Sequence, residues 1–94
     1  MPWTVRLEDE NGIPKTKEFL VIEYGSLPLG EAYPISSLIE SAPYYDTLLN
    51  PVQVEAFIAE IEAGDSDRSE ALVRLLGLAQ LATAPHIYLR FIGD

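Results

Sequence analysis

The sequence predicts a small two-layer α+β domain. A three-stranded, mainly antiparallel sheet is expected to carry two main helices and one or two short helical turns, packed mainly on one face. Three observations predict this class: two strand-like runs near the amino terminus, two amphipathic stretches in the middle, and an alternating run at the carboxyl terminus. Because 94 residues can enclose only one core, we expect residues 1–94 to form a single acidic domain.

The first strand is expected over about residues 3–9, where Trp3, Val5 and Leu7 alternate with polar residues. A second strand, over residues 18–24, has an unbroken apolar centre. Such a run favours burial on both faces, so we expect this strand to be central in the sheet.

The connection between these strands contains Asn11-Gly12, a dipeptide typical of hairpin turns. A two-residue loop would place apolar residues of one strand opposite polar residues of the other. A four-residue loop over residues 11–14 would instead pair Val5 with Phe19, so we expect the longer loop.

Residues 25–35 are rich in glycine and proline, which predicts a surface loop. After this loop, Ser37 and Glu40 have the spacing of a capping box, and we expect a short helix that ends at Ser41. Another helical turn is expected over residues 44–49.

The next helix has the clearest boundaries in the chain. Asn50 is a favourable amino-terminal cap, Pro51 and Gln53 occupy the first and third helical positions, and Gly64 lies just beyond the end. The apolar residues of this helix recur on one stripe, which should face the core. Its carboxylates lie away from that stripe, and we expect them on a solvated face: Glu55, Glu60 and Glu62.

A second long helix is expected over roughly residues 68–83, with Asp67 and Glu70 as its capping box. Its apolar residues spread beyond one helical face. This spread predicts either burial on more than one side or a surface through which a homodimer forms. Pro85 ends the segment, and the alternating run from Ile87 predicts the last strand.

The charge of the chain is strongly negative and unevenly distributed. Fifteen acidic and six basic residues give a net charge of −9, and residues 19–67 contain no lysine or arginine. Direct binding to nucleic acid or to an anionic membrane needs cationic contacts, so we expect neither. An acidic surface attracts basic partners and also keeps a protein soluble.

The loop and helices of this acidic segment supply the candidate binding residues. Tyrosines lie beside carboxylates there, and tyrosine is favoured in interfaces because a large ring carries a hydrogen-bonding tip. The alternative for these rings is that they seal the edge of the core. The predicted partner-binding set is Glu31, Tyr33, Glu40, Tyr44, Tyr45, Asp46, Glu55, Glu62 and Asp65.

The sequence offers little chemistry for catalysis. The absence of cysteine excludes disulfides, thiolate metal sites and a cysteine nucleophile. Asp65-Ser66-Asp67 begins like a calcium loop, but Glu70 stands where the sharp turn needs glycine. We therefore expect no cofactor, no metal and no catalytic residues, and a hydrolase that depends on His86 is the weakest of the hypotheses.

The leading hypothesis is a non-enzymatic protein-interaction module that binds a basic partner through its acidic surface, in the manner of an inhibitor, an immunity protein or an antitoxin. A nucleic-acid mimic is a sharper form of it, because a row of carboxylates can imitate phosphates. The alternative is a self-associating subunit of a homo-oligomer. Because no apolar run reaches the roughly 18–20 residues of a membrane span and no signal-peptide pattern is present, we expect a cytoplasmic protein.

Overall fold

The computed structural model describes residues 2–15, 19–41, 46–64 and 69–93. These residues form an antiparallel sheet and three helices, so the predicted α+β class is confirmed. In chain order the elements are β1 (Pro2–Asp9), β2 (Leu20–Glu23), α1 (Pro34–Ser41), β3 (Thr47–Leu49), α2 (Pro51–Ala63), α3 (Glu70–Leu81) and β4 (Ile87–Ile92).

The sheet has four strands in the order β2-β1-β4-β3, and the prediction of three strands is wrong. The extra strand, β3, lies where a helical turn was expected over residues 44–49; residues 44 and 45 are outside the described part of the chain. In β3, Leu49 is buried opposite Leu89 of β4, while Leu48 faces outward. Pairing with a distant strand therefore decides the conformation of this short apolar segment.

Strand β2 lies at an edge of the sheet, so the prediction that it is central is also wrong. Ile22 is fully buried, but Phe19 and Val21 are 53% and 54% exposed. The carboxyl-terminal strand β4 pairs with the other side of β1, which leaves β2 with one described neighbour. An apolar run predicts burial, but it carries no information about which strand will lie beside it.

The hairpin differs from prediction in both loop and register. Its tip is a three-residue loop over residues 10–12, closed by a hydrogen bond from the Asp9 N–H to the Ile13 carbonyl. Val5 lies opposite Leu20, so the predicted pairing with Phe19 is wrong by one residue. Near the tip Glu8 lies opposite Pro14, and farther along Val5 lies opposite Leu20. The chain from Pro14 to Leu20 is longer than the chain from Val5 to Glu8, so the pairing register changes along the hairpin.

The core lies between one face of the sheet and the helices. The rings of Trp3, Phe57 and Phe91 are buried and meet edge to face, with centroids 5.6 Å apart for Phe57 and Phe91. Helix α2 packs against β3 and β4, α3 against β1 and β2, and α1 against α2. Among the described helices, none has the length and apolar character that crossing a membrane requires.

The start of a helix agrees with prediction where its capping residues are close to it in the sequence. Helix α2 begins as predicted: the Asn50 side chain accepts the Gln53 N–H at 2.9 Å, and the Gln53 side chain accepts the Asn50 N–H at 2.9 Å. Helix α3 begins at Glu70 with Ser69 as its cap, later than predicted, and Asp67 is outside the described residues.

The predicted capping box of the short helix is wrong. Helix α1 begins at Pro34, before Ser37, and the acceptor for its first N–H groups is the carboxylate of Glu60 on α2. Glu60 is 7% exposed, so the expectation that it lies on a solvated face is wrong as well. The Ser37 hydroxyl bonds to the backbone of Gly30 instead.

Candidate protein-interaction site

The predicted partner-binding residues do not form one continuous patch within the described part of the chain. Tyr44, Tyr45 and Asp65 lie outside the described residues. Glu40 and Asp46 are both engaged within the protein. Glu31, Glu55 and Glu62 are exposed, and Tyr33 is half-buried at the start of α1.

Glu40 organises the loop that precedes α1. Its carboxylate accepts the Gly25 N–H at 2.9 and 3.0 Å and the Leu27 N–H at 3.3 Å. Leu27 is buried in the core, so these bonds hold a loop residue in a packed position. A partner that contacted Glu40 would have to share a carboxylate that the fold already uses.

The exposed candidates lie on neighbouring elements. Glu55 and Glu62 are seven residues apart on α2, which places them on one side of the helix about 10.5 Å apart along its axis. A side-chain carbon at Gly64 would lie 3.7 Å from Pro28, so the loop that leads to Glu31 adjoins the end of α2. The loop and the exposed side of α2 therefore place the exposed carboxylates Glu31, Glu55 and Glu62 on adjoining elements.

All three described arginines have a carboxylate at ion-pair distance. Arg74 lies 2.9 Å from Glu70 on α3, and Arg90 lies 3.2 Å from Asp46. Arg6 and Arg90 share Glu8 between them. The arginines thus neutralise nearby acids, and the other exposed carboxylates set the sign of the surface potential.

Glu8 is the buried centre of an ionic cluster on the sheet face opposite the helices. It is 1% exposed, and its Oε2 atom lies 2.5 Å from Arg6 Nε and 2.7 Å from Arg90 Nε. Burial opposes the charged form, but the guanidinium groups of Arg90 and Arg6 outweigh it and hold the pKa of Glu8 below its ordinary value. A carboxylate that is ionised throughout the physiological range is a structural counter-ion and a poor general acid.

His86 lies on the surface in the turn that precedes β4. Its side chain is 74% exposed, its Nδ1 lies 2.6 Å from Glu10 Oε2, and its φ of 64° places it in the left-handed region. Its exposure leaves the imidazole in water, without the enclosure that strengthens electrostatic catalysis. Within the described residues, no cluster of three or more His, Cys, Asp or Glu side chains could hold a metal ion.

An apolar groove lies between the edge strand β2 and helix α3 and is here called the β2–α3 groove. Its larger part encloses about 440 Å³ and is lined by Phe19, Leu20, Arg74, Gly77, Leu78 and Leu81. A smaller part of about 230 Å³ shares Leu20 and Arg74 with it and adds Val21, Glu70 and Ala71. Phe19 and Leu81 are more than half exposed, so the groove leaves large apolar side chains in water.

Gly77 lies within α3 and is exposed on the wall of this groove. A side-chain carbon built at Gly77 would have no atom within 4 Å, so packing within the protein does not require glycine there. Glycine inside a helix costs roughly 0.5–1 kcal/mol relative to alanine. The fold alone therefore does not account for this residue, whereas an approaching backbone would.

Sequence reasoning did not identify the groove, although two signals for it were present. The apolar run 19–22 predicts burial, and the excess apolar surface of the segment 68–83 predicts a second contact without indicating where it lies. The structure brings these two signals together along one edge of the sheet.

Comparison of this chain with models of known protein families, with curated proteins and with solved structures gave no match. The geometry and the charge of the surface therefore carry the functional argument.

Proposed function

We propose that this protein is a non-enzymatic interaction module that binds a basic partner protein, in the manner of an inhibitor, an immunity protein or an antitoxin. The observation that carries the proposal is the charge arrangement. Each described arginine lies beside a carboxylate, while Glu31 and Glu55 are exposed and belong to the stretch 19–67, which contains no lysine or arginine. With a net charge of −9, such a surface attracts cationic proteins over a long range and repels phosphate.

The test begins with affinity purification from the organism that encodes the chain, followed by reconstitution with the purified partner. We expect a partner of basic pI whose association rate falls steeply as salt is added, because screening removes the steering. An acidic partner, or an association rate indifferent to salt, would contradict the proposal.

Two charge reversals provide the matched comparison. The variant Glu31→Lys/Glu55→Lys should lower the association rate and flatten its salt dependence while the dissociation rate changes little, because exposed rim charges act mainly on encounter. The variant Glu31→Gln/Glu55→Gln should have about half that effect, since it removes charge without reversing it.

A second candidate function is self-association through α3. The observation that favours it is the exposure of Val73 and Leu81 on this helix, on either side of Gly77, which leaves an apolar strip in solvent. Sedimentation velocity at micromolar concentration decides this point. A dimer that dissociates in Leu81→Asp would support the candidate, and a monomer would remove it.

A further inference from the structure

We infer that the partner docks in the β2–α3 groove as an extended segment that pairs with the edge of β2 not occupied by another described strand and carries apolar and basic side chains. This inference rests on the proposed function and adds the position and the chemistry of the contact. It follows from the edge of the sheet, the shape of the groove and the distribution of charge.

The groove lies beside the edge of β2 and not beneath one of its faces. Leu20 and Val21 are consecutive residues of the strand, so their side chains point to opposite faces of the sheet, yet both line the groove. The groove wall next to the strand is therefore the backbone edge itself. An edge strand presents unpaired N–H and C=O groups, and an extended segment can satisfy them by adding a strand.

The length of β2 sets the size of the docked segment. Four residues of strand span about 13 Å, so about four residues of the partner can pair with it. A partner side chain directed toward α3 would enter the 440 Å³ hollow beside Leu78 and Leu81. At Gly77 the helix has no side chain, so the partner backbone can approach α3 closely.

The two ends of the groove differ in polarity. Phe19, Leu78 and Leu81 line the apolar end. At the other end Glu70 is paired with Arg74, and the exposed Glu23 at the end of β2 is the carboxylate that a basic side chain would meet. The occupant that complements this pattern has an apolar residue at one end and lysine or arginine at the other.

Charge also favours a basic partner over a second copy of this chain. Arg74 and Glu70 lie 2.9 Å apart in the groove, so this pair by itself favours neither an acidic nor a basic occupant. Two copies of a chain with a net charge of −9 would repel each other. The negative potential of the chain attracts a basic segment and repels a second copy.

The probe is a random-peptide library displayed on phage and selected on the immobilised full chain, with the selected peptides synthesised for titration. We expect selected sequences in which apolar residues alternate with other residues and lysine or arginine lies at one end. N-methylation of successive peptide nitrogens should weaken binding at every second position, because only alternate N–H groups of an added strand face β2. Equal effects at all positions would overturn strand addition.

The variant Gly77→Leu tests the groove, because leucine favours helix and its side chain enters the space beside the wall. We expect the affinity for the selected peptides to fall about tenfold or more, mainly through faster dissociation. Gln80→Leu is the matched control, since it adds the same side chain to an exposed position of α3 outside the lining, and its affinity should stay within about twofold of the original. Thermal denaturation should show both variants folded.

The outcomes separate this inference from the proposed function. If basic, salt-sensitive partners bind equally well to Gly77→Leu, the groove is the wrong site and the proposed function stands. If the library yields acidic peptides or none while the immobilised chain is folded, the inference fails. If the unliganded chain is a dimer that Gly77→Leu dissociates, a second copy occupies the groove and the inference is overturned.

Discussion

The carboxylate of Glu60 on α2 accepts the backbone N–H of Ser36, the third residue of α1, at 2.9 Å. Its second oxygen accepts the N–H of the preceding residue, Ile35, at 3.0 Å. One side chain therefore supplies the amino-terminal cap of another helix, and its charge is stabilised by the positive end of the helix dipole. This contact joins α1 to α2 and fixes the position of the loop that carries Glu31.

Replacing Glu60 with alanine should lower the free energy of unfolding by about 2 kcal/mol, because two N–H groups of α1 lose their acceptor at a buried site. Glu60→Gln should cost about half as much, since the amide keeps one acceptor oxygen. Urea denaturation measures both losses.

Glu55→Ala is the control, because Glu55 is exposed on the same helix and its loss should stay within about 0.5 kcal/mol. Equal losses for Glu55→Ala and Glu60→Ala would show that the cap contributes nothing to stability.

The same comparison explains what the sequence could predict. Asn50 and Gln53 form a cap within four residues of chain, so residue type and spacing are sufficient to identify it. Glu60 acts on a helix that begins 26 residues earlier, and its role appears only after α1 and α2 pack. Its position away from the apolar stripe correctly indicates a polar environment but cannot distinguish water from a helix end.

Strand order limited the prediction of the site in a similar way. The alternation in β1 and β4 predicts two strands with one buried face, and both are present. Nothing local indicates that β4 inserts beside β1, and this insertion leaves β2 at the edge. The groove depends on this strand order. The sequence therefore identifies the apolar residues of the groove but not the groove itself.

The Glu8 cluster should make stability depend on pH. The pKa of Glu8 is lower in the folded chain than its ordinary value, so its stabilising effect is complete above the ordinary glutamate pKa of about 4.3 and is lost as pH falls through the folded value. We expect the free energy of unfolding to decrease below about pH 4. Urea titrations at a series of pH values measure this decrease.

Glu8→Gln should cost about 2 kcal/mol at neutral pH, because it leaves the guanidinium groups of Arg6 and Arg90 without their shared counter-ion. This cost should shrink as pH falls, since the carboxylate of the original protein then becomes protonated. The pKa of Asp9 is also lowered, by hydrogen bonds from the backbone of Ile13 and Asn11 and by the charge of Lys15. The variant Asp9→Asn therefore measures how much of the pH dependence of stability comes from Asp9. A stability difference for Glu8→Gln that is independent of pH would contradict this account.

Gly77→Ala should raise the free energy of unfolding by roughly 0.5–1 kcal/mol, because alanine favours helix and its side chain meets open space. Gly12→Ala should lower it by about 1 kcal/mol, since Gly12 has a φ of 79° and alanine strains that conformation. Thermal denaturation of the two variants gives opposite signs if the backbone argument is right. A loss of stability in Gly77→Ala would mean that the glycine serves the fold.

Glu40→Ala should release the loop before α1. The amides of Gly25 and Leu27 lose their acceptor, so their hydrogen exchange should become faster. The free energy of unfolding should fall by about 1 kcal/mol, because Leu27 leaves a packed position more easily.

Glu31→Ala removes an equal charge from an exposed position in the same loop and should leave the exchange of both amides unchanged. Exchange followed by nuclear magnetic resonance resolves the two amides separately. If Glu40→Ala weakens partner binding without changing this exchange, Glu40 contacts the partner directly; a change in both would mean that it acts by ordering the loop.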